Sequence, residues 1–247
     1  MTQVQDLKVK LFADGADLDV IAQLAQDPRI QGFTTNPTLM RKAGVADYRA
    51  FALDVLKIVP DRPISFEVFS DEFSEMEQQA LEIASWGSNV NVKIPVTNTR
   101  GEFCGPLVSR LSAQGVQVNV TAILTIDQVR RVCDCLSTKT RSFVSVFAGR
   151  IADTGRDPVP VMQEAVSILK AKPNAELIWA SPRELYNVVQ ADQVGCHIIT
   201  ATKDILAKLG MLGKDLAQLS LETVQMFRND AVNAGFTIDT TPVRRAA

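Results

Sequence analysis

Short β-branched apolar runs alternate with amphipathic segments along the whole chain. The apolar runs predict strands, and the segments between them place apolar residues at helical spacing. The predicted strands are 9–14, 31–35, 64–69, 90–95, 116–121, 143–148, 176–180 and 196–200. The predicted helices are 17–26, 46–58, 72–86, 105–114, 126–136, 158–170, 183–191 and 202–209, with a further C-terminal helix at about 215–235.

This alternation favours an α/β fold with a closed (β/α)8 (TIM) barrel. No Gly-, Ser- or Pro-rich linker interrupts residues 1–247, so we expect a single domain with an extra C-terminal helix. The alternative is an open doubly wound sheet, which usually has a glycine-rich phosphate-binding turn after its first strand. The turn here reads FADGADLD and contains one glycine, which favours the barrel.

Polar side chains occupy every second position in several predicted strands. They are Ser65 and Glu67 in the third strand, Asn89, Asn91 and Lys93 in the fourth, Gln117, Asn119 and Thr121 in the fifth, with Asp14 ending the first and Thr34, Thr35 and Asn36 following the second. Helices cover the outer face of a barrel, so these side chains should converge inside it. They concentrate toward the C-terminal ends of the strands, where barrel enzymes have their active sites. We therefore favour a functional site over a purely structural polar network.

Composition narrows the possible partners. The chain has 247 residues, of which 46% are hydrophobic and 22% charged, and a net charge of −2, as expected for a soluble globular protein. This charge gives no electrostatic basis for binding nucleic acid or an anionic membrane surface. The sequence has no apolar run of about 18 residues and no apolar core of a signal peptide near its start, so we expect a cytoplasmic protein.

Cysteine and histidine usage argues against a metal site. Cys104, Cys133, Cys135 and Cys196 lack the spacing of metal ligands, and we expect reduced structural thiols. His197 is the only histidine, which excludes His-based triads and multi-histidine metal sites. It lies in the apolar run CHIIT, where a core or strand-end position is expected. We therefore expect no metal site.

Lys93 is then the strongest nucleophile available. Its neighbours Val92, Ile94 and Pro95 are apolar, and an apolar environment disfavours the charged ammonium form. A neutral amine can attack a carbonyl and form a Schiff base, which accepts electrons when an adjacent carbon–carbon bond breaks. Asp14 and Glu67 are carboxylates that could transfer the protons this chemistry requires.

Two arginines follow the sixth and seventh predicted strands. Arg150 lies in FAGRI and Arg183 in WASPRE, with Ser181 two residues before Arg183. A single arginine of this kind is often a member of a surface ion pair. Two guanidinium groups and a hydroxyl at matching strand ends instead suit a phosphate group, which barrels often bind in this region.

Seven motifs, in this order, resemble those of the transaldolase family. They are FADGAD, TTNPTL, SFEVF, VNVKIP, VNVTAI, FAGRI and WASPR, and the resemblance extends over about residues 10–235. It implies a class I, Schiff-base enzyme of the pentose phosphate pathway on a (β/α)8 barrel. Such an enzyme transfers a dihydroxyacetone unit from sedoheptulose 7-phosphate or fructose 6-phosphate to glyceraldehyde 3-phosphate or erythrose 4-phosphate, without a cofactor.

The resemblance also implies roles for individual residues. Lys93 resembles the Schiff-base lysine, and Asp14 the acid/base group that takes the proton of the C4 hydroxyl. Glu67 and Thr121 resemble the pair that positions and activates the catalytic water. The implied substrate-binding residues are Asn36 and Asn119 for hydroxyls and the dihydroxyacetone moiety, and Arg150, Ser181 and Arg183 for phosphate.

Two positions bear on the choice between transferase and lyase. The related fructose 6-phosphate aldolases have Gln in place of Glu67 and Tyr in place of Phe147, so we favour a transaldolase. The alternatives are an aldolase-type lyase and a transaldolase-like enzyme that acts on other sugars in secondary metabolism. A sugar-phosphate-binding barrel without catalysis is not supported, because a competent residue fills each expected catalytic position.

Two further features concern the phosphate loop and the oligomeric state. Pro182 stands where the family commonly has Phe, which puts the shape of the phosphate loop in question. The chain resembles the small subfamily, which implies a homo-oligomer, either a pentameric ring or a decamer. The segment 219–236 would then pack on a neighbouring subunit.

Overall fold

Eight parallel strands form a closed barrel in the computed structural model, which describes residues 3–240. Each strand pairs with its neighbour in sequence, and β8 closes the barrel against β1. The strands are β1 (Lys10–Asp14), β2 (Ile30–Thr34), β3 (Ile64–Glu67), β4 (Val90–Pro95), β5 (Val118–Ile123), β6 (Ser142–Val146), β7 (Ala175–Trp179) and β8 (Ile198–Ala201). The predicted (β/α)8 barrel is confirmed, and the open sheet is excluded.

Helices follow the strands and cover the outside of the barrel. They are α1 (Leu18–Ala25), α2 (Pro37–Lys42), α3 (Tyr48–Ile58), α4 (Phe73–Ser85), α5 (Gly105–Ala113), α6 (Ile126–Cys135), α7 (Ala148–Ala152), α8 (Val159–Leu169), α9 (Tyr186–Gln193), α10 (Lys203–Leu206) and α11 (Leu216–Asn233). The short helices α2 and α7 are not predicted from the sequence, since each has too few residues to show a helical period. The predicted end of α11 near residue 235 is two residues late, because Gly235 takes φ 68° and ends the helix.

Three residues that the sequence placed in the strands, Asn89, Gln117 and Phe147, lie outside them, although the predicted bounds of β4 are confirmed. Asn89 precedes β4, and its side-chain amide donates to the carbonyl oxygens of Val59 and Arg62, each at 2.8 Å. Gln117 precedes β5, and its amide donates to the carbonyl of Ser88 at 2.8 Å. Both side chains therefore bind the main chain of the segments that precede β3 and β4, and they do not belong to the polar side chains inside the barrel. At the other end of β6, Phe147 already caps α7 instead of continuing the strand.

The barrel interior is divided between a polar and an apolar half. Phe12, Phe143, Ile178 and Ile198 form a separate apolar cluster inside the barrel. The rings of Phe12 and Phe143 meet edge to face with centroids 5.8 Å apart. Gly32 of β2 makes room for this packing, because a Cβ there would lie 2.4 Å from the Phe12 ring. The Cα of Asn119 in β5 is paired with that of Phe143 in β6, so polar and apolar residues adjoin at this point of the barrel.

His197 and the cysteines play structural parts. The Nδ1 of His197 accepts a hydrogen bond from the Leu177 amide at 3.0 Å, just before β8, and burial lowers its pKa. This agrees with the predicted strand-end position. All four cysteines are free thiols, and burial raises the pKa of each of them, to about 11 for Cys104 and about 12 for Cys196. They therefore stay protonated and unreactive at neutral pH.

No helix within residues 3–240 combines the length and the apolar character needed to cross a bilayer.

Candidate active site

A cavity of about 440 Å³ opens at the C-terminal ends of the strands. All ten site residues predicted from the sequence line it, and Pro182 does so as well. They are Asp14, Asn36, Glu67, Lys93, Asn119, Thr121, Phe147, Arg150, Ser181 and Arg183. Within residues 3–240, His, Cys, Asp and Glu side chains form no group of three or more that could hold a metal ion.

Lys93 lies in β4 with only 6% of its surface exposed. Its Nζ donates to the carbonyl oxygen of Thr35 at 2.8 Å and lies 3.1 Å from Oε2 of Glu67. The Cα atoms of Glu67 and Lys93 are paired in the β3–β4 register, so the strands place the two side chains next to each other. The carboxylate and the carbonyl compensate for the burial of the charged amine, which would otherwise be very unfavourable.

Asp14 ends β1 and is held by two donors. Its Oδ1 accepts from the Thr34 hydroxyl at 2.7 Å, and its Oδ2 accepts from the Asn36 amide at 3.2 Å. Burial raises the pKa of Asp14 above its ordinary value, although Lys93 and these two hydrogen bonds act in the opposite direction. A carboxylate with a raised pKa is a stronger base than an exposed one, as a proton-transfer group requires. The Thr34 hydroxyl also lies 2.6 Å from that of Thr200 on β8.

Asn119 has a fixed orientation on β5. Its amide donates to the Ser65 hydroxyl at 3.0 Å, and its carbonyl accepts from the Ser145 hydroxyl at 2.7 Å. Its Cα is paired with that of Lys93, which places it beside the amine. The hydroxyl of Thr121, two residues on, is buried and has no hydrogen-bond partner among residues 3–240. It is therefore available to a substrate or a water.

An irregularity in β5 accompanies Thr121. The β5–β6 register shifts between Val120 and Ile123, and Ala122 takes φ 60°. A residue with a side chain adopts this left-handed conformation rarely, and such conformations are frequent at functional sites. Both Thr121 and Ala122 line the cavity.

The two arginines lie on the rim of the cavity and differ in their surroundings. Arg150 belongs to α7, and its guanidinium lies 5.7 Å from the centre of the Phe147 ring. Arg183 donates from Nη1 to the Ser181 hydroxyl at 3.0 Å and forms a two-point ion pair with Asp153, in which Nε lies 2.8 Å from Oδ1. Asp153 therefore already accepts hydrogen bonds from two of the guanidinium nitrogens of Arg183.

Gly149 brings the two arginine-bearing segments together. A Cβ at this position would lie 1.6 Å from the carbonyl oxygen of Ser181. Ser181 itself takes φ 61°. The close backbone approach therefore requires glycine, and it places Arg150 and Arg183 on the same rim.

Several residues of the site were not predicted from the sequence. Ser145 lies two positions after Phe143 in β6, and the period of two could have indicated that it faces inward. Thr200 and Thr202 also line the cavity; Thr200 ends the run CHIIT, which shows no polar alternation. Asp153 does not line the cavity itself, and its contact with Arg183 has no sequence signal, because it joins two segments that are far apart in the chain.

Fold and cavity together define a (β/α)8-barrel protein with a lysine–carboxylate site where barrel enzymes have their active sites. The model of the family described as "Transaldolase/Fructose-6-phosphate aldolase" matches residues 11–242. The chain belongs to this family, as the sequence motifs indicated.

Curated relatives agree with this assignment. The "Probable transaldolase" of Thermoanaerobacter sp. (strain X514) is 33% identical over 231 residues, which cover 93% of this chain and 100% of the relative. The "Probable transaldolase" of Dehalococcoides mccartyi is 33% identical over 202 residues, covering 81% of this chain and 90% of the relative. That of Streptococcus agalactiae (serotype V) is 35% identical over 202 residues, covering 81% and 89%.

Solved structures of other proteins share the fold. The structure of 2,3-dimethylmalate lyase, a PEP mutase/isocitrate lyase superfamily member, aligns with a TM-score of 0.53 at 10% identity. The alignment covers 98% of this chain and 89% of the lyase. At this identity the likeness concerns the barrel alone and carries no information on substrate or reaction.

Proposed function

We propose that the protein is a transaldolase, which transfers a dihydroxyacetone unit from a ketose phosphate to an aldose phosphate through a Schiff base on Lys93. The observation that carries the proposal is the position of the Lys93 amine, buried in the cavity and 3.1 Å from the Glu67 carboxylate. Asp14 lines the same cavity and has a raised pKa. Family membership supports the same chemistry.

The first half of the reaction cleaves the donor. Unprotonated Lys93 Nζ attacks the C2 carbonyl of the ketose, and the resulting carbinolamine loses water to form the imine. Glu67 and the Thr121 hydroxyl bind this water and move its proton. Asp14 then takes the proton of the C4 hydroxyl, the C3–C4 bond breaks, and its electron pair passes into the imine to form an enamine. An aldose phosphate leaves.

The second half reverses these steps with a new aldehyde. The enamine carbon attacks the acceptor carbonyl and forms a carbon–carbon bond, and Asp14 returns its proton to the new C4 oxygen. Water adds to the imine with the help of Glu67 and releases the product ketose from Lys93. The reaction consumes neither an oxidant nor a reductant.

The rest of the cavity would bind the sugar phosphate. Asn36 and Asn119 hold substrate hydroxyls, and Arg150, Ser181 and Arg183 hold the phosphate, which Arg recognises through paired donors. The donors are sedoheptulose 7-phosphate or fructose 6-phosphate, and the acceptors glyceraldehyde 3-phosphate or erythrose 4-phosphate. We propose that the enzyme acts in the pentose phosphate pathway of the cytoplasm.

Transfer is favoured over release of free dihydroxyacetone by the side chain at position 147. Phe147 lines the cavity and carries no hydroxyl that could protonate the enamine carbon. The enamine should therefore persist until an aldehyde captures it. An aldolase-type lyase remains the second candidate, together with a transaldolase-like enzyme for other sugars.

Borohydride reduction in the presence of fructose 6-phosphate tests the proposal. Reduction should trap a covalent adduct, and peptide mass mapping should locate it on Lys93. Lys10, paired with Glu176 at 2.6 Å near the start of β1, serves as an internal control that should remain unmodified. No adduct, or an adduct on Lys10 instead, would refute the proposal. Addition of erythrose 4-phosphate should then yield sedoheptulose 7-phosphate, whereas a lyase would release dihydroxyacetone.

We also propose that α11 packs against a second copy of the chain. Within residues 3–240 none of the α11 side chains is buried, although the helix carries exposed apolar residues. Leu216, Val224 and Phe227 are 77%, 61% and 64% exposed and, at spacings of eight and three residues, lie on one side of the helix. An apolar stripe of this size on a single chain is typical of an interface between copies, consistent with a pentamer or decamer.

A further inference from the structure

The hydroxyl of Tyr48 forms two hydrogen bonds with the main chain of Glu67. It accepts from the Glu67 amide at 2.7 Å and donates to the Glu67 carbonyl oxygen at 3.0 Å. Tyr48 is the first residue of α3, and nothing in the sequence connects it with β3. We infer that Tyr48 is a positioning residue for Glu67, an inference that rests on the proposed function.

The Tyr48 hydroxyl takes the place of main-chain hydrogen bonds that β2 does not provide to Glu67. On the side facing β4, the amide of Val68 donates to the Lys93 carbonyl at 3.1 Å. On the side facing β2, the last main-chain bond runs from the Thr35 amide to the Ser65 carbonyl at 3.2 Å. Asn36 already caps α2, so β2 has left the barrel where Glu67 needs a partner. A single phenol hydroxyl supplies both the acceptor and the donor that the strand no longer offers.

The ring of Tyr48 is itself held in place. It meets the rings of Phe66 and Trp86 edge to face, with centroids 6.1 and 5.6 Å apart. Burial raises the pKa of the Tyr48 phenol above its usual range, so the hydroxyl remains a donor at neutral pH. The anchored hydroxyl fixes the main chain of Glu67, from which the carboxylate reaches the Lys93 amine at 3.1 Å.

Position matters here because the Glu67 carboxylate must lie within hydrogen-bond reach of both the amine and the departing water. Without Tyr48, the end of β3 is held from the β4 side alone. Glu67 would then be free to shift away from Lys93 at the opening between β2 and β3. Imine formation, the step assigned to Glu67, should suffer more than binding of the sugar phosphate at the distant arginines.

A double-mutant cycle separates this role from a purely structural one. Tyr48→Phe keeps the ring and removes the hydroxyl; Glu67→Gln removes the charge of the carboxylate. The rate of borohydride-trapped imine formation with saturating fructose 6-phosphate is measured per folded molecule. Tyr48→Phe should slow it about 10-fold or more, as small misplacements of catalytic groups do. In the Glu67→Gln background the same change should alter the rate less than about twofold, because coupled residues are non-additive.

Tyr186→Phe is the matched control for the loss of a tyrosine hydroxyl. Tyr186, the other tyrosine, is 55% exposed and outside the cavity, so Tyr186→Phe should leave the rate unchanged. A lower melting temperature of Tyr48→Phe with an unchanged rate would mean that the hydroxyl only stabilises the fold, and would overturn the inference. Equal slowing by Tyr48→Phe in both backgrounds would also overturn it. No adduct in the wild-type protein would refute the proposed function and the inference together.

A second measurement does not depend on the folding of Tyr48→Phe. In Tyr186→Phe protein labelled with carbon-13 at the tyrosine ζ carbon, Tyr48 gives the one tyrosine signal. This signal should shift when fructose 6-phosphate forms the imine, because Glu67 then exchanges its contact with the ammonium for one with water. An unchanged signal at full imine formation would contradict the coupling.

Discussion

The amine of Lys93 and the carboxylate of Glu67 lie 3.1 Å apart on adjacent strands, β4 and β3, whose Cα atoms are paired at these residues. The pairing keeps an ammonium ion and its counter-charge together inside the barrel. It also places a proton acceptor within reach of the group that must lose a proton before it attacks a carbonyl. One contact therefore serves stability in the resting protein and reactivity in the proposed mechanism.

Exchange of two cavity side chains should convert transfer into release. Glu67→Gln combined with Phe147→Tyr introduces the residues typical of fructose 6-phosphate aldolases, and the new phenol can protonate the enamine. We expect more free dihydroxyacetone from fructose 6-phosphate, measured by an enzyme-coupled assay. Phe236→Tyr, at a position 78% exposed, is the matched control and should change nothing. Unaltered dihydroxyacetone formation in the double variant would count against the assignment of Phe147.

Asp14→Asn should remove activity and increase stability. Loss of the acid/base group should lower kcat at least about 10²-fold. The pKa of Asp14 is raised in the folded state by burial, so the folded protein binds this proton more tightly than the unfolded chain. Wild-type stability should therefore fall as the pH rises from about the ordinary value of 3.8 through the raised folded value. Asp14→Asn has no ionisable group at this position, so its stability should not fall in this way as the pH rises.

Urea unfolding at several pH values measures this difference. The stability advantage of Asp14→Asn should be absent in acid, where Asp14 is protonated in both states, and should grow toward neutral pH. Asp54→Asn, in the exposed pair with Lys57, is a control that removes the same formal charge. An advantage independent of pH would show that the ionised Asp14 is not the source of the cost.

The barrel and the row of polar positions could be predicted because both follow strict periods. β4 lies at the predicted residues, and Glu67, Lys93, Asn119 and Thr121 line one cavity as expected from alternation along neighbouring strands. The apolar half of the interior was not predicted. Phe12 and Ile198 read as ordinary strand residues, and only the closed barrel reveals which apolar side chains point inward.

Contacts between loops could not be predicted in the same way. Tyr48 reaches Glu67 because α2 interrupts the path from β2 to α3, and α2 is too short to leave a periodic pattern. Asp153, at the end of α7, reaches Arg183 because Gly149 of the same helix allows the close approach of the segment that contains Ser181. Such contacts depend on three-dimensional packing of separate segments, and no residue type or spacing in one segment encodes its partner in the other.

Removal of Asp153 should strengthen phosphate binding. Its ion pair with Arg183 occupies donors that a phosphate would use, and the same contact keeps the pKa of Asp153 low, so it is charged at neutral pH. Asp153→Asn should lower the dissociation constant of inorganic phosphate about two- to fivefold, the scale of one exposed ion pair. Isothermal titration at low salt measures it. Asp134→Asn, in α6, controls for net charge; weaker binding in Asp153→Asn would mean that Asp153 orients Arg183 instead.

Gly149→Ala should disrupt the rim that carries both arginines. The added methyl group would lie 1.6 Å from the Ser181 carbonyl oxygen, so one of the two segments must move. We expect a loss of about 1–3 kcal/mol in unfolding free energy, as for other overpacked sites, and a raised KM for phosphorylated substrates. Gly210→Ala, where a Cβ meets nothing within 4 Å, is the control. Unchanged stability and KM in Gly149→Ala would contradict the close approach.

Charge on the outer side of α11 should break the assembly. Phe227 is 64% exposed in the single chain and shares its side of the helix with Leu216 and Val224. If a second copy covers this stripe, Phe227→Asp buries an unpaired carboxylate at the interface, which costs several kcal/mol. Sedimentation velocity should then show a smaller species than the wild-type protein, with the barrel still folded by circular dichroism. Asn229→Asp, on the opposite side of α11, adds the same charge and should leave the assembly intact, whereas an unchanged size for Phe227→Asp would place the interface elsewhere.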